Sequence, residues 1–339
     1  MLSQLLLTTK ISPCTSVVYS SLPYVLQYFM PFLTVCLNPT LQKILCYDSI
    51  VSNTVNRTAN HRLDVSGKGI NVTRVLTQLE KKAVHLTQLG GELRPLFLSL
   101  CKQDGLPVEW VESESQIRFC YTLLTESDNG VTELVEESEP VAAGTETRLL
   151  EKFDSLLEDV SQNFKFLVIS GTKATGFSDT VIPSMVRKAK EKGMKIILDI
   201  KGKDLINSLQ HKPDIIKPNL FEFASTFASE LIDVKENDLI YSEKAQERIK
   251  AAMLDTAKKY GCNIILTNGN LKILAVSGEN YFETDIQSVK AINTIGCGDA
   301  FTAGLASALY DGADLAVAIK EGVRCGALNA SLLKPGVIR

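Results

Sequence analysis

From residue 166 onward, short apolar runs alternate with helical stretches, and this alternation leaves few architectures open to the chain. The runs are Phe166–Ser170 (FLVIS), Lys195–Asp199 (KIILD), 214–219 (DIIKPN) and 263–267 (NIILT). Helical periodicity precedes them near 146–161, 179–192 and 243–260, with a short helix before 214. Strands this apolar must be buried on both faces, so the pattern predicts a parallel sheet with helices on either side. Upstream, 32–37 (FLTVCL) and Ala83–Leu89 (AVHLTQL) read as further strands, with helices near 72–79 and 92–104. In such sheets ligands sit beyond the carboxyl ends of the strands. Asn38, Gly90-Gly91, Ser170-Gly171, Asp199, Asn219 and Thr267-Asn268-Gly269 all follow strand ends, and one crevice is expected to collect them.

Two stretches break the alternation. Residues 41–64 are β-branched and lack helical period, and 110–136 switches to period two around the turn Ser127-Asp128-Asn129. Both read as β excursions from one α/β domain spanning 30–339. Residues 1–29 differ in kind: they are apolar and rich in Ser and Thr, carry Lys10 as their only charge, and are interrupted by Pro13 and Pro23. That segment is expected to be an extension outside the native fold, with a targeting segment as the alternative. A formal net charge of −3 argues against nucleic acid or an anionic membrane as partner. The eight cysteines contain no C-x-x-C pair and the three histidines are dispersed, so the chain reads as a reduced, cytoplasmic protein without a structural metal centre.

Chemistry concentrates in 291–304 (AINTIGCGDAFTAG). Gly296, Cys297 and Gly298 form a tight turn opening an apolar helix, whose first amides point outward unpaired and favour an anion. Asp299 inside this ring of amides is either a helix cap or a reacting carboxylate. Gly67-Lys68-Gly69 before a helix lacks the spacing of a known phosphate loop, but its glycines admit a ligand to the backbone, and Asn71 offers both donor and acceptor to sugar hydroxyls. Arg118, amid apolar neighbours, is either solvated or poised over a phosphate. Asn219 and Glu222 have the spacing of a capping box; the same side chains suit magnesium-bound water near a triphosphate.

Taken together and in this order, these motifs resemble the phosphofructokinase B branch of the ribokinase-like sugar kinases, from about Phe32 to the C-terminus. The resemblance is carried by Leu37-Asn38-Pro39, by Gly67-Lys68-Gly69-Ile70-Asn71-Val72, by 216–222 (IKPNLFE), and above all by 293–299 (NTIGCGD), which is similar to the family's N-T-V-G-A-G-D. It is nearest to the sugar-phosphate kinases of that branch. The resemblance implies a three-layer α/β/α sandwich with a central, mostly parallel sheet. It also implies that the two β excursions, 41–64 and 110–136, form a lid through which many members dimerise.

It implies ATP and Mg2+, with Asp299 as general base and the amides of Gly296, Cys297 and Gly298 as anion hole. Gly67, Lys68 and Asn71 would line the sugar site, Arg118 would meet the substrate's existing phosphate, Asn219 and Glu222 would hold magnesium through water, and Thr267 and Gly269 would lie under the nucleotide. Gln42 stands where the family places a sugar-binding aspartate, the loop 170–176 (SGTKATG) loses a proline and gains Lys173, and Lys272 replaces a glycine of the nucleotide loop. The implied activity is phosphorylation of a ketohexose monophosphate at its primary hydroxyl, fructose 1-phosphate first and tagatose 6-phosphate second. A kinase for an unphosphorylated sugar or nucleoside fits Lys68 and Arg118 less well. A sugar-phosphate sensor without turnover is the alternative that Gln42 and the altered loop raise.

Overall fold

A computed structural model describes residues 32–233, 238–239, 242–286 and 288–339. The segment 1–29, expected to be an extension, lies outside the described residues. The chain runs β1 (Phe32–Val35), β2 (Thr40–Tyr47), β3 (His61–Ser66), α1 (Lys68–Gln78), β4 (Ala83–Leu89), α2 (Arg94–Gln103), β5 (Val108–Glu112), β6 (Arg118–Thr125), β7 (Gly130–Val135) and α3 (Thr145–Glu158). It continues β8 (Phe166–Ser170), α4 (Val181–Glu191), β9 (Lys195–Asp199), α5 (Gly202–Leu209), β10 (Ile215–Ile216), α6 (Leu220–Phe227), β11 (Ile232–Asp233), β12 (Asp238–Leu239), α7 (Glu243–Tyr260) and β13 (Asn263–Leu266). A hairpin of β14 (Ile273–Ser277) and β15 (Asn280–Thr284) precedes α8 (Cys297–Tyr310) and α9 (Leu315–Ala330).

The large sheet has the order β15-β14-β13-β10-β9-β8-β1-β4-β5, parallel throughout except for the antiparallel hairpin at one edge. Alternate residues of its strands enter two separate cores. Leu33, Val35, Leu167, Ile169, Ile196 and Leu198 face α3 to α7, whereas Phe32, Phe166, Val168 and Ile197 face α1, α8 and α9. The sheet is thus the middle of three layers, which is why the central strands β1, β8, β9 and β10 are mostly apolar. Chain order reverses at β1: β4 and β5 lie to one side, and β8 onward to the other. Such a switch point opens a crevice at the strands' carboxyl ends.

A second sheet of order β3-β2-β6-β7 carries the excursions, with β2 parallel to β6. Its inner face packs Leu41 and Val65 over Leu89, Phe97 and Ile117, while Leu134 and Val135 of β7 are exposed. The second excursion begins later than the 110 expected. Val108–Glu112 pairs in parallel with β4, Trp110 opposite Thr87, and forms the edge of the large sheet. Period-two alternation marks a half-buried strand but not the sheet it joins. The β14–β15 hairpin and α9 extend the fold beyond the elements legible from periodicity.

Candidate active site

Gly296 begins α8 with φ 84°, a left-handed conformation natural to glycine. A Cβ there would lie 2.8 Å from Gly336 N, so the chain's C-terminal segment closes the back of this turn. Of the amides expected in the anion hole, those of Gly296 and Gly298 have no acceptor among the described residues, whereas Cys297 N–H reaches Thr294 O at 3.3 Å. The Asp299 N–H is also unpartnered. Cys297 is therefore the weakest member of that set, and the Asp299 amide is a better one.

Asp299 is 5% exposed, and Asn71 Nδ2 donates to its Oδ2 at 2.8 Å. Burial is the main cause that lifts its carboxyl to about 6, with Asp199 adding to the rise and Lys68, Asn71 and Lys217 opposing it. Asp199 is buried at the end of β9 and joins two cations: Lys68 Nζ at 3.7 Å and Lys217 Nζ at 3.4 Å. Burial works against the Asp199 anion, but Lys217, Lys68 and Ser170 Oγ at 3.0 Å outweigh it and hold this carboxyl below its ordinary range. Lys68 in turn is held above its ordinary value, chiefly by Asp199.

The strand ends open into two cavities, not the single crevice expected. The first is lined by Asn38, Gly67, Lys68, Arg118, Gly171, Asp199, Lys201 and Glu222. The second, about 600 Å3, is lined by Asn219, Thr267, Gly269, Thr294, Cys297 and Gly298 and by the apolar Ile273, Ile286, Val289 and Val323. Gly90-Gly91 joins neither, turning instead against Ser113–Gln116. The cap of α6 lies between the two cavities, because Glu222 lines one and Asn219 the other. Both halves of its capping box are formed, with Glu222 N donating to Asn219 Oδ1 at 2.7 Å and Asn219 N to Glu222 Oε2 at 2.9 Å. The remaining carboxylate oxygen of Glu222 faces Lys68 Nζ at 3.4 Å. Capping therefore accounts for this pair's spacing without consuming all of its oxygen lone pairs.

Arg118 Nη1 donates to Glu136 O at 3.0 Å, but its buried Nε has no partner. Asn38 Oδ1 at the same cavity is likewise buried and unpaired. Such groups cost free energy unless a ligand or water completes them. Lys173, the extra cation of the altered loop, is neutralised by Asp179 and Asp204. Gln42 departs from expectation: it lines neither cavity and is 3% exposed, and its Nε2 donates to Thr122 Oγ1 at 2.7 Å inside the small sheet. Its amide is committed to the pairing of β2 with β6 and not to a ligand.

The roles of Lys217 and Arg74 are not legible in the sequence, because each stands in an apolar run or helix where a single charge reads as solvated. Asp199, expected in the crevice from its place at a strand end, lines the first cavity. Residues 39–337 match the pfkB family carbohydrate kinase model. The chain belongs to this family. Tagatose-6-phosphate kinase of Staphylococcus epidermidis is 28% identical over 309 residues, covering 90% of this chain and 94% of that one. Phosphofructokinase-2 from Escherichia coli in complex with fructose-6-phosphate has the same fold, with TM-score 0.75, 20% identity, and coverage of 89% and 94%. A Thermotoga maritima structure described as a possible 1-phosphofructokinase gives TM-score 0.75 at 17% identity, with coverage of 90% and 94%. The protein is accordingly a carbohydrate kinase, a phosphotransferase whose acceptor is an alcohol group.

Proposed function

We propose that the protein transfers the γ-phosphoryl group of ATP to the primary hydroxyl of a ketohexose monophosphate, with fructose 1-phosphate as acceptor and fructose 1,6-bisphosphate as product. The reading is carried by the first cavity, where Arg118 with its unpartnered Nε and Lys201, which has no ion-pair partner among the described residues, stand near Lys68 and the buried base Asp299. A neutral sugar has no use for such cations, whereas a sugar phosphate does. Tagatose 6-phosphate is the second reading, favoured by the 28% identical relative that bears that substrate in its name. The second cavity, partly apolar and ending at the first turn of α8, suits the nucleotide.

In this reading Asp299 accepts the hydroxyl proton as the bond from the sugar oxygen to the γ-phosphorus forms and the bond from that phosphorus to the β-bridging oxygen breaks, releasing ADP. A carboxylate near 6 is ionised at neutral pH, yet basic enough to take a proton late in the transfer. The free amides of Gly296, Gly298 and Asp299 stabilise charge on the moving phosphoryl group. Lys217, 2% exposed and near Gly298, adds positive potential beneath the same turn.

Magnesium fits as an ion held largely by phosphate and water. Asn219 and Glu222 would help hold it through water with the oxygen lone pairs their capping box leaves free, and no cluster able to grip a metal by three His, Cys, Asp or Glu exists among the described residues. When bound, it neutralises phosphate charge. The exposed Val131, Leu134 and Val135 on β7 support the small sheet as a lid that pairs with a second copy. No helix among the described residues is long and apolar enough to cross a membrane, and we place the protein in the cytoplasm because the described cysteines are free.

A coupled assay of ADP release over phosphorylated and unphosphorylated ketohexoses tests the proposal. Turnover with fructose 1-phosphate or tagatose 6-phosphate supports it. Thermal stabilisation by these ligands without turnover on any of them identifies a sensor instead.

A further inference from the structure

Among the described residues Arg74 is the only buried arginine, at 4% exposure. It lies on α1, one turn beyond Asn71, and lines neither cavity. Its Nε donates to Asp104 Oδ2 at 3.0 Å, its Nη2 to Val65 O at 2.6 Å, and its Nη1 to Pro335 O at 3.0 Å and to Asn71 Oδ1 at 2.9 Å. The last contact joins it to the reaction, because the opposite end of the same amide donates to Asp299.

A carboxamide can turn over end for end without changing shape, so something must decide which end meets the base. Ser66 Oγ, 3.3 Å from Asn71 Oδ1, cannot decide, since a hydroxyl gives or takes a hydrogen bond equally well. Asp299 cannot decide either: ionised it accepts, but protonated it can donate to an inverted amide. A guanidinium only donates. It therefore holds the Asn71 oxygen at its own side whatever the state of Asp299, and leaves the nitrogen to support the ionised carboxylate. We propose that Arg74 is a positioning residue for phosphoryl transfer, one that locks the Asn71 amide so that it donates to the ionised Asp299.

The same guanidinium ties down the wall behind the reacting turn. Pro335 O binds Arg74, the next residue's N–H donates to Asn329 Oδ1 at 2.7 Å, and Asn329 Nδ2 donates to Ile295 O at 2.9 Å, one residue before Gly296. Base and anion hole thus share one buried anchor. The other charged groups facing Asp299 are Lys68, Asp199 and Lys217, and none of them touches Arg74.

The proposal rests on Asp299 being the base, and the test separates the two. The pH profile of kcat is measured for wild type, Arg74→Met, Arg74→Lys, Asn71→Ala and Asp104→Asn, on the sugar phosphate turned over fastest. A limb midpoint does not depend on the fraction of molecules that are folded, so partial unfolding of a variant does not mimic the effect. Loss of a hydrogen bond to a charged group corresponds to an upward move of about one pH unit. That move is expected in Arg74→Met and Asn71→Ala, with roughly tenfold lower kcat and an ATP KM within about twofold of wild type, whereas Arg74→Lys, which keeps a group that only donates, is expected to move the limb less than Arg74→Met.

Asp104→Asn leaves the amide contact in place, so it is expected to lower the melting temperature without moving the limb. Arg74→Met combined with Asn71→Ala should move the limb no further than Asn71→Ala alone, because Arg74 acts on the carboxylate through that amide. A wild-type limb that neither Arg74 variant moves, or that Asp104→Asn moves equally, overturns this proposal alone. A wild-type profile with no limb near pH 6 overturns the base assignment and this proposal with it.

Discussion

Replacing Asp299 with Asn is expected to stabilise the protein while disabling it. In the folded chain the carboxyl sits at about 6 against an ordinary 3.8, chiefly through burial. At pH 7.5 both folded and unfolded chains carry this group ionised, so folding bears the whole cost of burying the anion, about 3 kcal/mol. As pH falls through 6 the folded form takes up a proton first and the cost shrinks; below about 3.8 both forms are protonated and it vanishes. Asparagine removes the charge and still accepts from Asn71 Nδ2, but its own amide nitrogen lacks an evident acceptor, which returns about 1 kcal/mol. The net gain at pH 7.5 is about 2 kcal/mol, or roughly 3 °C for a chain of this size. Thermal melts of both proteins from pH 4.5 to 8 check it. The difference should be largest at the alkaline end and should close toward pH 4.5. A variant less stable than wild type at pH 7.5, or a gain independent of pH, refutes the reasoning.

Arg118→Ala, which removes the cation with the unpartnered Nε, should raise KM for the sugar phosphate at least tenfold and KM for ATP by less than about twofold. Equal effects on both would contradict its place beside the substrate's phosphate. Glu222→Gln keeps an acceptor for the Asn219 N–H, so the capping box survives, but the lost charge should raise the magnesium concentration for half-maximal rate by about tenfold. An unchanged magnesium dependence would leave Glu222 with capping alone. Leu134→Asp places a charge on the exposed face of β7 and should convert a dimer to a monomer in sedimentation at micromolar concentration, whereas a monomeric wild type would rule out that interface.

The middle of the central sheet was legible because its strands β8, β9, β10 and β13 are short, mostly apolar and separated by helices, a pattern that one architecture satisfies. The turn at Gly296 and the carboxylate at Asp299 were legible for a similar reason: glycines opening a helix expose amides whatever the tertiary context. Contacts between distant parts of the chain were not. Nothing local tells that Lys217 reaches Asp199, that Arg74 reaches Pro335 O, or that Gly336 backs Gly296, since those pairs meet only after the sheet has folded. Gln42 shows the opposite error. Its place in a motif suggested a ligand contact, yet the hydroxyl of Thr122 on the adjacent strand takes its amide. Trp110 likewise satisfied period two but joined the large sheet, because parallel pairing with β4 covers it.

The account stands or falls on the Asp299 carboxylate taking the acceptor's proton beside the free amides of α8. Steady-state turnover of Asp299→Asn, alongside ATP binding by calorimetry, measures this most directly. The account predicts a kcat lowered by about 10² to 10⁴ with ATP affinity within about threefold of wild type, and in wild type a kcat that declines tenfold per pH unit below about 6. A variant that keeps wild-type turnover contradicts it.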